Sequence, residues 1–184
     1  MHKIEGYLEV GHNNDGEIVI NHPDLKPFAD GIGHIVFSSS QARSLAALLL
    51  QHAEESERDI RHKAQEAQYE AAEAIPVDRS NRTLTDGSEV TEDHREIISG
   101  GVRDGQQKAY VVLSDSERAK GFVRPFRDSY EHTVCGGVTT MGWSIAETYA
   151  RDPKFYSGTF CVDCKKHFAL AEFVWSGTNE LVGS

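Results

Sequence analysis

Two pairs of potential metal ligands, His132-x-x-Cys135 and Cys161-x-x-Cys164, separated by 25 residues, constrain this chain more than any other feature. Two ligands three positions apart can chelate one cation from a single tight turn, and two such turns complete a tetrahedron. Gly136-Gly137 follows the first turn. Glycine lets the backbone curl back there, so that amides face a thiolate sulfur. The expectation is one structural Zn2+ held by His132, Cys135, Cys161 and Cys164. The chain has three cysteines, all within its last 50 residues. An odd number gathered in one region suits metal binding better than a disulfide framework. His167 is the alternative fourth ligand. His132 is preferred because it stands at turn spacing from Cys135, which would otherwise ligate alone. A redox dithiol normally opens a helix after a strand, whereas Lys165-Lys166-His167 leads into an apparent strand. Four protein donors leave no position for water, which disfavours hydrolysis by this metal.

The flanking residues fit a ribbon around those turns. Thr159-Phe160 and Phe168 to Trp175 read as strands, and Trp143 to Arg151 reads as a helix stopped by Asp152-Pro153. Upstream, Tyr110 to Leu113 is a strand, and Ser114-Asp115-Ser116-Glu117 is a capping box opening a short helix. Phe122 to Arg127 is expected to run extended. Residues 76–109 carry turn formers such as Asp86-Gly87 and Gly100-Gly101 and are expected to form a loop-rich joint.

The N-terminal third begins with short strands, Tyr7 to Val10 and Glu17 to Ile20, around the turn Asn13-Asn14-Asp15-Gly16. A further strand is expected at His34 to Phe37, beyond Pro23 and Pro27. Ser38 stands three before Gln41, a capping box for a helix over 41–74. Ala42, Leu45, Ala46, Leu49 and Ala53 make one apolar stripe, which thins to Ile60, Ala64, Ala67 and Ala71. A helix this long predicts pairing with a second copy through 41–74, or a solvated helix along the body. Pro76 ends it. The fold class is therefore α+β: a strand and long-helix unit over 1–75, the joint over 76–109, and a zinc-ribbon-like unit with a helical insert over 110–184.

Net charge is −10 and the pI about 5.3, so the chain as a whole gains little from counterion release on a phosphate backbone. The longest apolar run, Leu45 to Leu50, falls far short of the ~18 residues of a membrane span. No signal-peptide core stands at the N-terminus, and the expectation is a soluble, cytoplasmic protein. Arg118, Lys120, Arg124 and Arg127 alternate with Phe122 and Phe126. Such a segment can hold phosphate and stack a base, with Lys165 and Lys166 extending it, or it can be a charged strand edge. Of the histidines, His22 and His34 flank a Pro/Gly-rich loop as a weak second metal pair. His52 and His62 lie nearly three helical turns apart, too far to share an ion. Asp93-His94 resembles an acid–base pair with no nucleophile beside it.

From Leu84 onward, Leu84-Thr-Asp-Gly-Ser88, Tyr110-Val-Val-Leu-Ser114, Glu117-Arg-Ala-Lys-Gly-Phe-Val-Arg-Pro125, Ala146-Glu-Thr-Tyr-Ala-Arg-Asp-Pro-Lys-Phe-Tyr156, Thr159-Phe-Cys161 and Gly177-Thr-Asn-Glu180 resemble an uncharacterised family of tailed-phage accessory proteins with the same cysteine pattern. The resemblance implies a phage origin and a site of action in the host cytoplasm, and implies no activity. Three functional expectations follow. The first is a non-enzymatic accessory protein that binds a host macromolecule, a host protein above all, for counter-defence or host takeover. The second is a nucleotide or nucleic-acid binder using 118–127 and the zinc turn. The third is an enzyme with a site between the two units.

Overall fold

The chain, as a computed structural model, is described over residues 2–4, 8–15, 17–21 and 38–184. The expected strand at His34 to Phe37, and His22 with its loop, lie outside the described residues. Helix and sheet are mixed as an α+β class requires. The chain divides into two compact units, Met1–Glu66 and Ala67–Ser184.

In the first unit, β1 (His2–Ile4), β2 (Leu8–His12) and β3 (Ile18–Asn21) form an antiparallel sheet in that order. Val10 faces Ile20 and His12 faces Ile18 across β2 and β3. The turn between them is held by Asn13, whose Oδ1 accepts the amides of Asp15 at 3.0 Å and Glu17 at 2.9 Å, as a short amide side chain can in a turn. Helix α1 runs Ser39–Glu73, 35 residues. Its capping box is reciprocal: the Gln41 amide donates to Ser38 Oγ, and the Ser38 amide donates to Gln41 Oε1. The buried stripe differs from the expected one. Leu45, Leu48, Leu49 and Ala53 are half-buried, Ala42 and Ala46 are exposed, and within the first unit's part of α1 the fully covered positions are His52 and Ser56. The helical period is kept, but the most covered rungs are polar.

The second unit takes in the last turns of α1, from Ala67, and the segment 76–109. That segment is built in by strand pairing: β4 (Arg82–Leu84) pairs with β5 (Val111–Leu113). Ile97 bridges Gln107, and the Ile98 and Gly105 amides bond back to Gln106 and Ile98 carbonyls. The C-terminal end of α1 leaves carbonyls without helical partners. Arg151, fully buried, donates to the carbonyls of Ala72 and Ile75 at 2.8 Å each. Its charge is met by Glu117, also fully buried, at 3.6 Å.

Glu117 corrects one sequence expectation. The Ser114 side chain does accept the Glu117 amide and opens α2 (Asp115–Arg118). The other half of the box is missing: the Ser114 amide goes to the Asn81 carbonyl, and the Glu117 carboxylate takes the Asp78 amide and Lys120 instead. A buried carboxylate is drawn to its cations in preference to a local amide.

Two β-hairpins then carry the ligand turns. β6 (Ser129–His132) and β7 (Val138–Thr140) form the first, with β10 (Phe173–Trp175) added on the open side of β6. Helix α3 (Trp143–Arg151) follows, with the bounds its sequence pattern predicts. β8 (Gly158–Cys161) and β9 (Lys166–Ala169) form the second hairpin. The run Phe168 to Trp175 is broken by a 3-10 turn at Leu170–Glu172, and Phe122 to Arg127 forms no strand. Tyr130, Tyr149, Cys161, Phe173, Trp175 and Val182 make the core. Full burial of a side chain such as Phe173 contributes about 2 kcal/mol.

Candidate metal centre

Each ligand pair sits where a hairpin turns. His132 is the last residue of β6, and Cys135 lies in the turn to β7; Cys161 is the last residue of β8, and Cys164 lies in the turn to β9. The two turns share a backbone device. The residue after the second ligand of each pair is left-handed: Gly136 at φ 73° and Lys165 at φ 52°. Glycine takes this conformation at no steric cost, while lysine carries a Cβ penalty there. The Gly137 amide donates to Cys135 Sγ at 3.4 Å, the bond expected from the Gly-Gly pair.

The four donors converge. His132 Nδ1 lies 3.2 Å from Cys135 Sγ and 3.6 Å from Cys164 Sγ, Cys135 Sγ lies 3.5 Å from Cys161 Sγ, and all four ligand atoms fall within 4.8 Å of one another. A tetrahedron with Zn–S of about 2.3 Å and Zn–N of about 2.0 Å has edges of roughly 3.5–3.8 Å, so the donor set has the dimensions of one such ion. These residues can hold a metal ion. His167, the alternative ligand, is elsewhere: its Nε2 is 3.1 Å from the Tyr110 hydroxyl.

The surroundings orient the donors. The His132 ring is stacked between Phe168, centroids 4.6 Å apart, and Phe173, at 4.7 Å. Its Nε2 faces Glu172 Oε2 at 3.4 Å. A carboxylate at the far nitrogen fixes the tautomer that presents Nδ1 to a metal. The sulfurs act on one another. Hydrogen bonding with Cys135, then burial, pushes the Cys164 thiol up to about 12, while the Gly137 amide holds Cys135 below the ordinary thiol range. Three thiolates at one point need a cation. The turns also lock to each other and to the rest of the unit. A Cβ on Gly137 would stand 2.5 Å from Asp163 Oδ2, and one on Gly105 would stand 2.0 Å from the Lys165 carbonyl oxygen. Lys165 Nζ pairs with Asp104 at 3.1 Å beside that second contact.

The basic segment is spent on internal pairs. Arg118 meets Glu147 at 2.7 Å and Asp115 at 2.5 Å, Lys120 meets the buried Glu117, and Arg127 meets Glu180 at 2.5 Å. Arg124 donates to the carbonyls of Val123 and Ser184. Asp93 is paired with Lys108, which, ahead of Thr91, holds its carboxyl down at about 2; the His94 Nδ1–H donates to the Thr91 carbonyl.

A second group of donors belongs to the first unit and is missing from the sequence reading. His12, His52 and Glu55 place ligand atoms within 4.8 Å of one another. His52 Nδ1 is 3.2 Å from Glu55, and His12 Nε2 is 3.4 Å from Asp59. His52 thus shares its surroundings with His12 of β2, 40 positions away, and not with His62. The one signal for it was His-x-x-Glu at helical spacing inside α1. Each imidazole faces a carboxylate of its own.

Among the described residues no helix is long and apolar enough to cross a membrane. Set against protein-family models, curated proteins and solved structures, the chain matches none of them.

Proposed function

We propose that this chain is a non-enzymatic binding protein whose second unit is held in shape by one structural zinc ion, and that it serves a phage as an accessory protein acting on a protein of the host cytoplasm. The observation that carries this reading is the closed set of four protein donors at the tips of two hairpins. Thiolate-rich tetrahedral sites select zinc over harder cations, and a filled sphere does structural work. The turn residues Val134 and Val162, 75% and 45% exposed, and Val138 at the start of β7, 50% exposed, put apolar side chains on the surface near the donors. Covering them would favour a partner chain. The net charge of −10 favours a protein over a nucleic acid, and the pairing of Arg118, Lys120 and Arg127 with carboxylates supports the same choice. Phage origin rests on the sequence resemblance.

Two measurements on the full chain test this. Metal analysis is expected to find one zinc per chain, lost in Cys161→Ser. Affinity capture from an expressing host is expected to recover one host protein, whose recovery falls in Val134→Asp/Val162→Asp while zinc content holds. A metal-free wild type sinks the structural-zinc reading, and capture unaffected by the valine changes sinks this binding surface.

A further inference from the structure

A cavity of about 570 Å³ in the second unit draws its arginines, Arg79, Arg82 and Arg95, from outside every motif of the sequence. Its charge is opposite to that of the chain. Arg79, Arg82 and Arg95 line it with His94 and His167, and among the described residues no aspartate or glutamate does, in a protein with 29 acidic residues against 19 basic ones. The arginines are not equivalent. Arg79 is taken by Asp152, in two bonds of 2.6 and 2.9 Å. Arg82 and Arg95 are exposed and make no ion pair among the described residues. His94 uses Nδ1 on the Thr91 carbonyl, which leaves Nε2 for a ligand.

Aromatic rings share the lining: Tyr110, Phe155 and Tyr156. They are held in place. The Tyr156 hydroxyl donates to the Val111 carbonyl at 2.9 Å, Phe155 packs edge-on to Tyr156 at 4.8 Å, and Tyr110 stands beside His167. Guanidinium groups without a carboxylate partner are ready to take phosphate oxygens as charge-assisted, often bidentate, hydrogen bonds. Aromatic faces accept a planar heterocycle by stacking. Pockets for small ligands run from about 300 to 1,000 Å³ with a few convergent polar groups on an apolar lining, and this one has that size and makeup.

We propose that this cavity is a binding site for a mononucleotide, its phosphate against Arg82 and Arg95 and its base against the Tyr110, Phe155 and Tyr156 rings. The site goes beyond the partner-binding reading and does not depend on it. It is also a different place from the 118–127 segment, whose lysine and arginines are paired or hydrogen-bonded within the chain.

Calorimetric titration of the full zinc-loaded chain with AMP, GMP, CMP and UMP tests it, beside adenosine, inorganic phosphate and a short single-stranded oligonucleotide. At least one mononucleotide is expected to bind, with its nucleoside and inorganic phosphate each at least about tenfold weaker. Arg82→Ala/Arg95→Ala is expected to weaken that binding by about tenfold or more. Both side chains are exposed, and circular dichroism and zinc content would confirm that the variant folds. Arg61→Ala, an exposed position that does not line the cavity, is expected to bind as wild type. Any of four results overturns the proposal: no mononucleotide binds at millimolar concentration; the double variant binds as wild type; phosphate alone binds as tightly as the nucleotide; or the oligonucleotide binds more than about tenfold tighter, which would make the site one for single-stranded nucleic acid.

Discussion

The two groups of metal-type donors in this chain are a study in contrast. Around His132, two hairpin tips close on one point, the imidazole is clamped between two phenylalanine rings, and three sulfurs stand together with no cationic side chain among the four donors. Around His12 and His52, each imidazole already faces a carboxylate, and Asp59 is 62% exposed. The first arrangement gathers three sulfurs and an imidazole nitrogen at one point, and the second offers no sulfur, each imidazole lying beside a different carboxylate. Proximity of donors therefore says less about metal binding than which donor atoms stand together.

The largest expected effect separates the two groups directly. If the proposed zinc fills the His132 group, chelation should remove one zinc per chain and, with it, metal-binding free energy of the order of 10 kcal/mol. The near-ultraviolet signal of the second unit's aromatic core should collapse. His12→Ala/His52→Ala should leave the metal content at one; a fall from two to one would overturn the contrast. Next in size is Glu117→Gln, which leaves the buried Arg151 without its counter-charge and should cost about 3 kcal/mol in chemical denaturation. The same residue sets a pH dependence. Burial raises the Glu117 pKa, but Lys120, the Asp78 amide and Arg151 together outweigh it, and the net shift is downward from 4.5. Its contribution is therefore present above pH 4.5 and is lost as pH falls through the lower folded value. The Gln variant should lack that acid-side loss, measured with the metal site saturated.

Smaller effects compare the two ligand turns. Gly136→Ala forces a side chain into a left-handed position and should lower thermal stability by about 1 kcal/mol. Lys165→Gly relieves the same penalty at the second turn and should raise it by up to about 1 kcal/mol, less whatever the exposed Asp104 pair contributes. If both changes destabilise equally, the turns are not conformational equivalents. Smallest of all is Arg61→Ala, which breaks an exposed helical pair with Glu57 and should change stability by no more than about 0.5 kcal/mol.

What could be read from the sequence was local. Ligand pairs three apart, the Ser38 and Ser114 side-chain caps, and the apolar period of Trp143 to Arg151 all lie within a turn or two of chain, so residue spacing reveals them. The His12 and His52 juxtaposition depends on the fold, as does the burial of Arg151 beneath the end of α1. Neither leaves a period in the sequence. Residues 76–109 read as a joint because turn formers dominate them, yet β4 is three residues long and pairs with a strand some 30 positions on. Short strands contribute too few alternations to stand out from loop. The arginine-lined cavity leaves no sequence pattern for a similar reason: its arginines come from a turn, a strand and a 3-10 helix with no common spacing.

The seat of Gly105 on the Lys165 carbonyl makes one turn of backbone the floor for another. The loop from Ile98 to Gly105 closes on itself through the Gly105 amide and the Ile98 carbonyl, and its tip rests on the cysteine-bearing hairpin with no room for even a methyl group. Stripping the cation should therefore be felt away from the sulfurs, as faster deuterium uptake at the amides of Ile98 and Gly105. A protein whose loop stays protected after the ion has gone would have a scaffold that outlasts its rivet.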